Sequence, residues 1–521
     1  MAASRVAGIL VHPTSLPGPY GIGELGREAM SFLDFLHETG QSLWQVLPLG
    51  PTGFGDSPYS SFSAFAGNPL LISLDRLAEQ GLLEDGELAK RPAFPGDEVD
   101  FGAVREHRRP LLAKAFEAFE KKADAPRREA FDAFVRRHAA WLGDFALFAA
   151  LKRANRGESW NVWERALVER QPSAHVKARH ELAHVVREAE FEQFLFFEQW
   201  AAVRQAARER GIRVMGDVPI FVAHDSADVW AHPDIFHLGR DGAPAFQAGV
   251  PPDYFSATGQ LWGNPVYRWD ALARTGFAWW IDRMRATFEL VDLVRLDHFR
   301  GFEAYWEVPG GAPTAIDGRW VKGPGAALFE AMRAALGERE IVAEDLGVIT
   351  PEVEALRDGL GLPGMAILQF AFGSGADGND FLPHNYPKRK VVYTGTHDND
   401  TVVGWWRAGV GDSTRTEADV ARERERALAY VGGDGSEIHW DFIRTLLVSV
   451  ADTAIVPLQD VLGLGSEARM NLPGRSQGNW GWRFGAEDLT PALRQRLRAI
   501  TDGSGRTPRK PEPDPRTAGK P

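Results

Sequence analysis

Three acidic clusters carry the residue types for carboxylate chemistry. In Val-Arg-Leu-Asp-His-Phe-Arg-Gly301, Arg295 and Asp297 stand two apart in a run that reads as a strand, so both side chains emerge on one side. A guanidinium there holds the carboxylate ionised, the state a nucleophile attacking an acetal carbon needs. A structural ion pair inside a barrel is the other reading of the same motif. In Ile341-Val-Ala-Glu-Asp-Leu-Gly347 the apolar run ends on Glu344. A partly desolvated carboxyl at that point has a raised pKa and can donate a proton, whereas Asp345, nearer the turn, suits a helix cap. In Val391-Val-Tyr-Thr-Gly-Thr-His-Asp-Asn-Asp400, His397 and Asp398 read as a hydroxyl-binding pair, a capped loop or metal ligands. No other His or carboxylate stands at ligand spacing, so no metal is expected.

The spacings from Asp297 to Glu344 and from Glu344 to Asp398 each leave room for a βα unit. The three acids therefore fall at three strand C-termini, the face on which barrel enzymes build their sites. Two carboxylates flanking a bond, with a third gripping hydroxyls, suit glycosidic bond chemistry; a retaining pair stands roughly 5–5.5 Å apart. With 17 Trp and 31 Phe there is ample surface for stacking on sugar C–H faces. Most rings belong in the core, but Tyr59, Tyr254, Phe255 and Trp262 lie in loops among Gly and Pro, where a binding role is more natural.

The elements that must position these residues read as alternating βα units. Strands are expected at Gly8–Val11, Leu43–Leu47, Arg213–Asp217, Leu293–Asp297, Ile341–Glu344, Ala366–Phe370, Val391–Thr394 and Thr453–Pro457, the count of a (β/α)8 TIM barrel. Residues 1–500 are read as this catalytic barrel. Residues 51–210 form an insertion too long for one crossover helix: first a Gly-, Ser- and aromatic-rich loop over one barrel face, then mostly helix. There the apolar stripe Phe131, Phe134, Val135, His138, Trp141, Leu142, Phe145 and Phe148 predicts one helix, with His138 a core or boundary residue. Residues 249–266 read as an active-site lid that excludes water, and 501–521 as a disordered Pro-rich tail. No C-terminal β-sandwich is visible.

Several function classes are excluded or disfavoured. Gly21-Ile-Gly-Glu-Leu-Gly26 matches a dinucleotide fingerprint, but the preceding strand ends about ten residues too early and the next lacks an acidic ribose ligand, so no cofactor is expected. The phosphate-loop, serine-hydrolase and zincin motifs are missing too. A net charge of −12, from 59 basic and 71 acidic residues, argues against nucleic acid or an anionic membrane as partner. There is no cysteine, no run long enough to span a bilayer and no export signal, so a cytoplasmic protein is expected.

Six segments in order carry a family resemblance: Ser57 to Pro69, Gly216 to Val222, Gly259 to Pro265, Arg295 to Gly301, Ala343 to Gly347 and Gly395 to Thr401. Over about residues 5–500 the chain resembles the 4-α-glucanotransferases (amylomaltases, or disproportionating enzymes) of glycoside hydrolase family 77, related to the α-amylase clan. The resemblance implies transfer of a 1,4-α-glucan segment to the 4-hydroxyl of an acceptor by retaining double displacement, on maltooligosaccharides or glucans from starch or glycogen. It implies Asp297 as nucleophile, Glu344 as general acid and base, and Asp398 as the acid binding hydroxyls at the cleavage point. Arg295, His397, Asp217, Tyr59, Trp262 and Asn471 would line the subsites. Phe221-Val-Ala-His-Asp225 departs from the Asn-His ending of α-amylases and favours the transferase branch; Gly373, where some relatives carry Asp, removes one remote hydrogen bond. An α-glucan hydrolase of the same clan, or a non-catalytic glucan-binding protein, are the rival readings.

Overall fold

In Thr453-Ala-Ile-Val-Pro457 the side chains of Ala454, Ile455 and Val456 are all buried, as befits a strand covered on both faces. Seven other short runs behave similarly. In the computed structural model, which describes residues 5–252, 258–373, 379–410, 416–475 and 477–508, they form β1 (Val6–Leu10), β2 (Leu43–Gln45), β3 (Arg213–Pro219), β4 (Leu293–Asp297), β5 (Ile341–Ala343), β6 (Gly364–Ile367), β7 (Lys390–Tyr393) and β8 (Thr453–Pro457). All eight expected strands are present with ends shifted by a few residues, and Glu344 lies just beyond its strand. They pair in parallel in the order β6-β7-β8-β1-β2-β3-β4-β5, and the Ala343 amide donates to the Pro363 carbonyl at 2.9 Å across the remaining seam. This is the (β/α)8 barrel. Close approach matters at Gly8, where a Cβ would stand 2.5 Å from that of Leu43 on β2.

Side chains fill the barrel: Tyr393 from β7 donates to Gln45 Oε1 of β2 at 2.9 Å and lies 3.9 Å from the Met215 sulfur of β3. On β4 the alternation is strict. Val294 and Leu296 are fully buried under the outer helices, leaving Arg295 and Asp297 for the interior.

The glycines of Gly21 to Gly26 have structural reasons of their own. Gly21 has φ +77° beneath the Phe94 ring, and a Cβ on Gly23 would collide with the Pro13 carbonyl. The motif turns the chain into the expected helix, Arg27–Glu38, which buries Phe32, Leu33, Phe35 and Leu36.

The insertion is mainly helical, with Phe101–Lys122 and Ala183–Glu209 its longest helices. The stripe from Phe131 to Phe148 is not one helix. It splits into Ala125–Arg137 and Leu142–Ala154 at a turn closed by the Trp141 and Leu142 amides on the His138 carbonyl. Ring packing outweighs helix continuity here: His138 is buried with ring centroids 4.4 Å from Phe134, 5.7 Å from Trp141 and 5.2 Å from Phe197, and the turn keeps all of them on Ala183–Glu209.

The described parts of 249–266 are not a free loop. Phe246–Val250 and Gln260–Pro265 pair in a four-stranded antiparallel sheet with Ala304–Pro309 and Arg319–Lys322. Tyr254 and Phe255 lie outside the described residues. The ordered chain also runs past residue 500: helix Pro491–Gly503 is followed by Arg506, whose buried guanidinium donates to the carbonyls of Leu447, Val6 and Ala451 at 2.7–2.8 Å. The residues after the helix are therefore held by hydrogen bonds to buried main chain, where a Pro-rich composition predicts none of this. The rest of the expected tail, 509–521, lies outside the described residues. Among the described residues no helix is long and apolar enough to cross a membrane.

Candidate active site

The site grows from strand register. Asp217 on β3 faces Arg295 on β4, and Leu296 on β4 faces Ala343 on β5, so Asp297 and Glu344 follow side by side at the C-terminal ends. Arg295 Nη1 contacts three carboxylate oxygens: Oδ1 and Oδ2 of Asp217 at 2.8 and 2.7 Å and Oδ1 of Asp297 at 2.9 Å. Its side chain is only 3% exposed. Burial works to lower the guanidinium pKa, and the Asp217 and Asp297 charges override it and raise it well above the usual range. One cation thus serves two carboxylates. The wholly buried Asp217 is pushed up to about 6, by burial first and then by Asp297, against the pull of Arg295.

Asp297 is 28% exposed, open to the mouth of the barrel. The next residue, His298, has φ +53° and ψ +50°, a left-handed conformation costly for a large side chain, on the order of 1–3 kcal/mol. That turn aims the His298 amide at Glu344 Oε2, 2.7 Å away, while the Leu346 amide donates to Oε1 at 3.0 Å. Even with two amide donors, burial and the Asp297 charge push Glu344 up to about 8. The contrast is chemical: Asp297, on a guanidinium and open to the mouth, and Glu344, buried with its pKa raised, stand on adjacent strand ends.

Asp398 follows β7. Its side chain is 45% exposed and is held by Asn471 Nδ2, which donates to Oδ1 at 2.6 Å, with His397 Nε2 3.4 Å from Oδ2. The His397 ring stacks on Tyr59 at 5.1 Å between centroids and 17° between planes. Tyr59 in turn donates to Asp217 Oδ2 at 2.9 Å, closing a path from Asp398 to Arg295. Among the described residues no group of three or more His, Cys, Asp or Glu is placed to hold a metal ion. Trp262, on the sheet rather than in a loop, presents its ring edge-on to His298 at 4.8 Å.

The structure therefore gathers Asp297, Glu344, Asp398, Arg295, Asp217, His397, Tyr59, Asn471 and Trp262 around one barrel mouth. Sequence reasoning assigned no role to His298, Arg469 or Trp480. Arg469 donates to the carbonyls of Asp398 and Asn471 at 2.5 and 2.7 Å, and Trp480 lies 5.8 Å from Tyr59. His298 stood inside a quoted motif, but its left-handed backbone has no signature in a histidine. Arg469 and Trp480 come from a late loop whose return to the mouth no local pattern announces.

Tyr59→Phe should isolate the hydroxyl's part. The stacked ring remains, and Asp217 loses one of its donors. The expected loss is about 1.5–3 kcal/mol of stability, the range for a hydrogen bond to a charged group. An unchanged urea midpoint would mean that Arg295 alone satisfies Asp217.

Paired carboxyl groups in contrasting surroundings at the C-terminal mouth of a (β/α)8 barrel, one on a guanidinium and one buried, define an enzyme that works on glycosidic bonds. A family model described as 4-alpha-glucanotransferase matches residues 11–488. The chain is 55% identical to the 4-alpha-glucanotransferase of Thermus thermophilus over 513 residues, 97% of this chain and 100% of that one. It is 51% identical to the 4-alpha-glucanotransferase of Synechocystis, covering 97% and 99% of the two chains. Among solved structures, the amylomaltase from Streptococcus agalactiae in complex with acarbose superposes with a TM-score of 0.92 at 39% identity, over 97% of this chain and 100% of that one. The chain belongs to the 4-alpha-glucanotransferase family, and its activity is transfer of α-1,4-glucan segments between glucan chains.

Proposed function

We propose that Asp297 is the nucleophile, Glu344 the general acid and base, and Asp398 the group that binds hydroxyls of the sugar at the cleavage point. The observation that carries this reading is the pair on adjacent strand ends: Asp297 on Arg295, and Glu344 buried with its pKa pushed up. Glu344 protonates the departing glycosidic oxygen while an Asp297 oxygen attacks the anomeric carbon, giving a β-linked glycosyl ester. Glu344, now a carboxylate, takes the proton from the 4-hydroxyl of an incoming glucan. That oxygen displaces Asp297 and restores the α-1,4 bond. Arg295 carries the charge of Asp297 in the free enzyme and as it departs.

Asp217, Tyr59, His397, Asn471 and Trp262 line the subsites in this reading. Asn471 and His397 hold the partly exposed Asp398 in place, and Trp262 offers a ring face for stacking beside His298. Tyr254 and Phe255 are proposed to stack the acceptor from the lid segment. The substrates are maltooligosaccharides and glucans derived from starch or glycogen, and the setting is cytoplasmic carbohydrate metabolism.

Incubation with maltotriose alone tests the reading. Chromatography should show glucose and a ladder of longer maltooligosaccharides at constant total reducing ends. Rising reducing ends without a ladder would make the protein a hydrolase, and no change at all would make it a binding protein.

A further inference from the structure

The sequence places Asp345 at a turn that suits a helix cap, yet it caps no helix: the next one, Pro351–Gly359, starts after Thr350. Its buried carboxyl group sits instead in the barrel seam between β5 and β6, which form no ladder. The Met365 amide of β6 donates to Asp345 Oδ1 at 2.6 Å, where a parallel ladder would offer it the Ala343 carbonyl. Arg357 Nη1, from the helix Pro351–Gly359, donates to Oδ2 at 2.5 Å, and Lys390 Nζ at the start of β7 lies 3.6 Å from the same oxygen. Arg357 is itself fixed, its Nε donating to Asp358 Oδ1 at 2.8 Å. Gly364 makes the room: a Cβ there would stand 2.1 Å from Asp345 Oδ2.

Glu344 is the residue immediately before. On the side of Asp297 its main chain is tied directly: its amide donates to the Leu296 carbonyl and its carbonyl accepts from the Phe299 amide, both at 3.0 Å. On the side of β6 the next tie along the chain is the Asp345 side chain. Packed apolar residues would hold such a seam about as stably as a buried ion pair, but without bonds of fixed direction. Direction matters at this point, because a proton donor displaced by about 1 Å can lose on the order of 10²-fold in rate.

We propose that Asp345 is the positioning residue for Glu344: held by Arg357, Lys390 and the Met365 amide, it closes the barrel beside Glu344 and sets where that carboxyl group stands relative to Asp297. Asp345 touches neither substrate nor the reacting atoms. It acts through its neighbour, with Glu344 as proton donor and acceptor the reading on which this rests. Loss of the latch should therefore impair the steps that need a proton moved and spare those that need none.

Asp345→Ala, Asp345→Asn and Arg357→Met, each in the full chain, test this in two reactions. Maltotriose disproportionation needs Glu344 as acid and base; turnover of α-glucosyl fluoride with azide needs it as neither. Asp345→Ala should lose on the order of 10²-fold in kcat on maltotriose and less than about tenfold on the fluoride with azide, with maltotriose affinity by calorimetry kept within about twofold. Asp345→Asn, whose amide oxygen can still accept from Met365, should recover part of that loss. Arg357→Met should show the same dependence on donor in smaller measure, and because it changes a helix side chain the test stands even if Asp345→Ala does not fold. Equal losses in both reactions, or no loss on maltotriose, would overturn the proposal. Glu344→Gln in the same assays separates the two readings. If it loses on maltotriose alone while the Asp345 and Arg357 variants lose equally on both, Glu344 keeps its role and Asp345 is only structural; if Glu344→Gln itself loses equally on both, the role of Glu344 falls and this proposal with it.

Discussion

Asp297→Asn should lower the rate of maltotriose disproportionation by on the order of 10⁴-fold or more, equivalent to roughly 5.5 kcal/mol of transition-state stabilisation. An amide oxygen in the same place cannot form the glycosyl ester, so no residual route through the variant preserves the double displacement. The structure predicts what should survive. Arg295 keeps both contacts to Asp217, and a charge that opposes ionisation of both Asp217 and Glu344 is removed. The fold should therefore be at least as stable as before, and maltotriose should still bind by calorimetry. A rate drop smaller than about a hundredfold with intact binding would remove Asp297 from the nucleophile's role, since general acid–base assistance alone reaches that size. Loss of binding together with rate would return the Arg295–Asp297 pair to the structural reading.

The barrel was legible because each strand is a short apolar run covered on both faces, and such runs stand out between longer amphipathic segments. The acids were legible because a charged residue at the end of such a run has few structural reasons to be there. Arg295 and Asp297 fall on one side by the period of two, and their contact to one another follows. Asp217 is different. Its place came from resemblance, and only the parallel register of β3 on β4 explains why it meets Arg295; Tyr59 was legible as a loop aromatic, but not its bond to Asp217. The turn at His138 was invisible for a physical reason: the apolar period persists through it because the same rings pack on the same neighbour, while the backbone between them changes direction. Arg506 escaped notice because a lone arginine in Pro- and Gly-rich sequence gives no sign of the carbonyls it will meet.

For Glu344→Gln the expected effect depends on the donor, and that dependence is the test. With maltotriose the leaving oxygen needs a proton, and the variant should lose about 10²- to 10⁴-fold in rate. With α-glucosyl fluoride, whose leaving group needs none, the first step should persist and the second should stall for want of a base. Intact mass spectrometry should then find a glycosyl adduct on Asp297. Azide, a nucleophile that requires no deprotonation, should discharge the adduct as α-glucosyl azide. The pH dependence follows with its sign. Burial and the Asp297 charge raise Glu344 to about 8 in the free enzyme, so its acid form is present at neutral pH and is lost as pH rises through that value. The kcat/KM of the unmodified enzyme on maltotriose should therefore fall above about pH 8, whereas adduct formation by the variant from the fluoride should not show that limb. The same shift acts on stability: the folded state holds a proton that the unfolded chain releases above its ordinary value of 4.5, so this group's contribution declines as pH rises from there to about 8. If the fluoride and maltotriose reactions of the variant fall equally, and azide restores neither, Glu344 is not the proton donor and the assignment passes to another group at the barrel mouth.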